Sequence, residues 1–97
     1  MKIIVESFYA HGENSGSSVR VRPLTGQGFS TEMRVECSKA MRNAFPVGQK
    51  FCIHVQLKKM LNGPDHLYSS YRDSWNPVND HEALEFIATT FSKNSQP

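Results

Sequence analysis

Ninety-seven residues, 38% hydrophobic and 10% aromatic with a formal net charge of +2, suit one small domain with a single core. A chain this short buries roughly 60–70% of the surface its unfolded form exposes, which leaves little room for a deep catalytic cleft. No apolar run reaches the roughly 7–15 residues of a signal peptide or the about 20 of a membrane span, and Cys37 and Cys52 are too few for a disulfide framework; reduced thiols and a cytoplasmic setting are expected.

Residues 2–9 form the first expected strand. Ile3, Val5 and Tyr9 share one face and Ile4 and Phe8 the other, so the strand is central or bent. Residues 11–18 hold Gly12, Asn14, Ser15, Gly16, Ser17 and Ser18 and read as a loop with a mobile tip. A short strand follows at residues 19–22 and stops at Pro23, with Arg20 and Arg22 on one side. Gly26 and Gly28 mark the next turn. Over residues 31–37, Thr31, Met33, Val35 and Cys37 alternate with Glu32, Arg34 and Glu36, the pattern of a half-buried antiparallel strand. Ser38 can cap one or two helical turns that must end before Pro46; an irregular crossing is the alternative.

The clearest pattern comes next. Phe51, Ile53, Val55 and Leu57 alternate with Cys52, His54, Gln56 and Lys58; Asn62-Gly63-Pro64-Asp65 turns the chain; Leu67-Tyr68-Ser69-Ser70-Tyr71 returns. This predicts an antiparallel hairpin ending near Trp75-Asn76-Pro77. Asn79 can cap a helix with Glu82 reaching back and Val78 packing on Ala83, and Leu84, Ile87, Ala88 and Phe91 form its apolar stripe. Residues 92–97 are expected to fray. No repeat or linker divides the chain, so residues 1–97 form one domain. The expected fold is α+β: about five antiparallel strands in a curved sheet or small barrel, with one C-terminal helix plugging an open end or lying across one face.

Catalytic motifs are incomplete. Asp65-His66 and Asp80-His81-Glu82 invite acid–base or metal chemistry, and His81 and Glu85 share a helix face, but a zinc site needs further ligands. Gly12-Glu13-Asn14-Ser15-Gly16 lacks the nucleophile-elbow order, and Gly26-Gln27-Gly28 lacks the following helix of a phosphate cradle. Cys52 beside His54 on one strand face would need a lowered thiol pKa to act as a nucleophile. The two cysteines differ in strand parity, which disfavours pairing. Charge is uneven: residues 18–60 hold eight Lys or Arg against two Glu, and the rest hold three against seven acidic residues. This is either a basic face for an anionic partner or a polar surface whose parts differ. Small curved barrels hold single-stranded nucleic acid with basic grooves and stacking rings, so Arg20, Arg22, Arg34, Tyr68, Tyr71 and Trp75 are the candidate nucleic-acid contacts.

At Pro46-Val47-Gly48-Gln49-Lys50-Phe51 and Leu67-Tyr68-Ser69-Ser70-Tyr71 the chain resembles small uncharacterised proteins carried on mobile integron gene cassettes. The resemblance covers roughly residues 46–78. It implies a compact cytoplasmic protein of accessory function, with a homodimer possible, and transfers no catalytic residues.

The leading expectation is a non-catalytic binding or protein-interaction module, its partner a protein or a small apolar molecule held between sheet and helix. The first alternative is a single-stranded nucleic-acid-binding small barrel. The second is a small enzyme using His54 and Cys52, or the regions of His66 and His81. No cofactor, metal or membrane partner is indicated.

Overall fold

A computed structural model describes residues 1–10 and 19–91. The predicted loop at residues 11–18, its glycine–serine motif and the expected fray at residues 92–97 lie outside the described residues. The fold is α+β. Strands β1 (Lys2–Tyr9), β2 (Val19–Pro23), β4 (Lys50–His54) and β7 (Trp75–Val78) form an antiparallel sheet in the order β2-β1-β4-β7. A smaller sheet has the order β3-β6-β5, from β3 (Val35–Glu36), β6 (His66–Tyr68) and β5 (Gln56–Lys58). Helices α1 (Lys39–Asn43) and α2 (Asp80–Phe91) complete it.

Only Val55 separates β4 from β5, so one extended stretch feeds both sheets. The predicted hairpin is this stretch and its return: β5 pairs with β6 and β4 with β7, with residues 69–74 bulging between. Trp75-Asn76-Pro77 is therefore part of a strand and not the end of the hairpin.

Period-two alternation sends Ile3, Val5, Phe51, Ile53 and Val55 to one face, where they meet Val21, Val35, Met41 and Leu67 in a single core. Phe51 anchors it, its ring 5.8 Å from both Phe45 and Trp75, the latter edge-on at 84°. The other face of β1 is also buried at Ile4, as the apolar residues on both sides of that strand require.

Three details depart from the sequence pattern. Only Val35–Glu36 of the expected strand at residues 31–37 pairs, because Ser30 starts a turn: its backbone C=O accepts from Met33 N–H at 3.1 Å and its Oγ from Glu32 N–H at 3.0 Å. That short strand runs parallel to β6. Residues 37–65 between them, through α1, β4 and β5, form a crossover long enough for parallel pairing. The helix stripe is also rotated. Leu84 is 67% exposed and Ala88 exposed, while Ala83 is fully buried and Phe86, Ile87 and Phe91 half-buried. Ala83 is small enough to let α2 lie close on β1 and β4.

The predicted caps are present. Asn79 N–H donates to Glu82 Oε1 at 2.8 Å and Glu82 N–H to Asn79 Oδ1 at 2.7 Å. Ser38 Oγ accepts from Met41 N–H at 3.2 Å. Lys50 Nζ joins Glu6 Oε2 at 3.1 Å and Asp80 Oδ1 at 2.8 Å, which ties β4 to β1 and to the start of α2.

Gly26 and Gly28, at φ 93° and 87°, swing Gln27 into the protein. Pro23 ends β2, and the Gln27 amide takes up the ladder: Oε1 accepts from Ile4 N–H at 2.7 Å, and Nε2 donates to Ile4 O at 2.8 Å and Leu24 O at 3.0 Å. Among the described residues no ladder joins β2 to β3, so the two sheets curve towards each other without closing a barrel.

Candidate ligand-binding cleft

The open seam between β2 and β3 is a cavity of about 670 Å³. Its apolar lining comes from Val21 and Val35, whose side chains belong to the core, together with Met33 and Cys37. Arg20 and Arg22 line it from β2, Arg34 from the residue before β3, and Arg42 from α1. The proline at the end of β2 and the turn before β3 keep both strands short; Arg20 and Arg22 lie on β2, Arg34 just before β3, and Arg42 reaches the seam from α1.

Arg22, Arg34 and Arg42 are each held differently. Arg22 lies over the Phe8 ring at 4.8 Å and its Nη2 is 3.7 Å from Glu6 Oε1, directly across the β1–β2 ladder. Arg34 Nη2 is 3.1 Å from Glu36 Oε2, whose other oxygen is 3.3 Å from His66 Nε2. Arg42 Nη1 donates to Val19 O at 2.9 Å, while its buried Nε has no hydrogen-bond partner among the described residues. Arg34 is the most open, its side chain 72% exposed. Glu32 and Glu36 also line the cavity, so the four cations outnumber the anions there two to one.

Of the candidate nucleic-acid contacts, Arg20, Arg22 and Arg34 come together and the aromatic residues do not. Tyr68 lies on β6 with Lys58 Nζ 5.4 Å from its ring centre. Tyr71 sits in the bulge, its hydroxyl accepting from Arg72 Nε at 3.1 Å. Trp75 packs half-buried on Phe51. Phe8 and Arg42 belong to the cleft and were not among the sequence candidates. The opposition of Phe8 to Arg20 follows from the β1–β2 register, which was open to inference. Nothing local marks Arg42.

The thiols are poorly disposed to nucleophilic chemistry. Burial pushes Cys37 from an ordinary 9.0 up to about 11, with the nearby Arg42 charge acting against it. Burial also raises Cys52, with Lys2 acting against it. A raised thiol stays protonated at neutral pH, the reverse of what activation beside His54 requires. Both cysteines are free. Among the described residues no three His, Cys, Asp or Glu side chains cluster as a metal site, and no helix is long and apolar enough to cross a membrane. Gly26-Gln27-Gly28 serves the ladder of β1.

No protein-family model matches the chain, and neither a curated protein nor a solved structure does.

Proposed function

We propose that the protein is a non-catalytic binding module whose β2–β3 seam takes an anionic ligand with an apolar part. The single supporting observation is the convergence of Arg20, Arg22, Arg34 and Arg42 on one cavity lined beneath by Val21, Val35 and Met33. Guanidinium groups suit carboxylate and phosphate oxygens, and apolar walls suit a hydrocarbon portion. The accessory role and cytoplasmic setting implied by the resemblance to cassette-borne proteins fit such a module, as does a homodimer.

Titration with octyl phosphate, followed by amide and arginine Nε–Hε NMR signals, tests this reading. Saturable shifts at residues 20–22 and 33–37 are expected, with inorganic phosphate alone binding more weakly. Arg34→Glu should weaken binding by roughly tenfold. Shifts scattered over the surface, or none at millimolar ligand, would dismiss the cleft as a site.

A second reading, single-stranded nucleic acid, is favoured by the same arginines and by Phe8. It is weakened by the separation of Tyr68, Tyr71 and Trp75 from the cleft. Oligothymidylate binding tighter than octyl phosphate, with affinity falling steeply as salt rises, would give it precedence.

A further inference from the structure

We propose that the free edge of β5 is a second interaction surface, which receives an extended acidic segment of a protein partner as an added strand. The backbone geometry points there. Leu67 N–H donates to Arg34 O at 2.9 Å, so Leu67 directs its backbone to β3. Leu57 stands opposite Leu67 in the β5–β6 pair and therefore turns its own N–H and C=O away from β6. The β1 side agrees: Val55 N–H donates to Met1 O at 2.8 Å and Val55 O accepts from the Met1 amino group at 3.2 Å. Two residues on, Leu57 faces the same way, and among the described residues nothing pairs with it there.

The other edges are less receptive. The outer edge of β7 carries Pro77, which has no N–H to offer. Pro23 ends β2, and Arg42 occupies Val19 O. The free edge of β3 faces β2 across the arginine cleft. Among the described residues, β5 alone presents an open donor and acceptor beside exposed apolar side chains, Leu57, Met60 and Leu61, the last 96% exposed.

Charge selects the occupant. Lys58 and Lys59 are exposed on this arm with His54 nearby on the same stretch. Lysines on an edge repel a second copy of the same edge. They attract a strand carrying carboxylates, and alternate apolar side chains of that strand would cover Leu57.

The probe is a short capped peptide alternating Glu with Val, and a Lys–Val peptide of equal length is the control. Saturable amide shifts at residues 55–61 are expected, with Leu57 amide hydrogen exchange slowed roughly tenfold or more. The double variant Lys58→Glu with Lys59→Glu should bind roughly tenfold more weakly. Leu57→Pro should abolish binding; if that variant does not fold, the lysine variant decides. Arg34→Glu should leave the peptide affinity unchanged, which separates this surface from the cleft. Equal binding of the Lys–Val peptide, unchanged Leu57 exchange, self-association through β5, or no binding at millimolar peptide would each overturn the proposal.

Discussion

Gln27 supplies the acceptor for Ile4 N–H where the β1–β2 ladder runs out just past Pro23. Its amide satisfies one backbone donor and two acceptors, and the residue is 2% exposed. Gln27→Ala leaves the buried Ile4 N–H without its acceptor, while Ile4 O keeps the Leu24 N–H at 3.1 Å, and should destabilise the fold by about 1–3 kcal/mol, the cost of one buried orphan. Gln27→Glu keeps the acceptor for Ile4 N–H and loses the donor. It should remain destabilised. Urea unfolding with an unchanged midpoint for Gln27→Ala would show that water replaces the amide at no cost. The residue was legible only as a turn position between two glycines. Its role depends on Ile4 passing alongside, twenty-three residues away in sequence.

For α2, the element, the deciding quantity is the phase of the apolar stripe. The set read from spacing contained Leu84 and Ala88, and the packed set contains Ala83, Phe86 and Ile87. Both share Ile87 and Phe91, so the existence of the helix and its cap could be read while its rotation could not. Ala83→Leu should overpack the contact with β1 and β4 and cost about 1–3 kcal/mol. Leu84→Asp should stay within about 0.5 kcal/mol of the parent. Ile87→Asp places a charge where α2 packs beside the Gly26 turn and should prevent stable folding. Thermal melts of the three variants check the order, and the reverse ranking of Ala83 and Leu84 variants would restore the stripe read from spacing. The cap is a separate test: Asn79→Ala should cost about 1 kcal/mol, read by the same melts.

Across the whole molecule, alkaline pH should loosen the structure. The folded state raises the pKa of Cys37 to about 11 by burial and raises that of Cys52 for the same reason. It also raises Lys50, chiefly through Asp80 and then Glu6. In all three the protonated form is favoured by folding. Their contribution is fully present below the ordinary values of 9.0 and 10.5 and is lost as pH climbs through the raised ones. Urea midpoints should therefore fall progressively between pH 9 and pH 11, and Cys37→Ala should flatten the lower part of that fall. A flat profile across that range would contradict the burial of the thiol. Cys37 should likewise resist alkylation at neutral pH.

Some of this protein was determined by local pattern alone. Alternation at Phe51, Ile53 and Val55 specifies a strand and its buried face, because side chains of an extended chain leave on opposite sides. Asn79 and Glu82 mark a helix start, because they satisfy backbone groups within three residues. The parity that sets Arg20 beside Arg22 is equally local. Other features arise only from contacts between distant segments. These are the parallel pairing of β3 with β6, the rotation of α2 onto Ala83, the seam left between two sheets, and the arrival of Arg34 and Arg42 beside Arg20 and Arg22. Periodicity encodes which way a side chain points from its own strand or helix. What it meets there depends on which strands pair, in what order and how far they curl, and those are settled by the packing of one shared core.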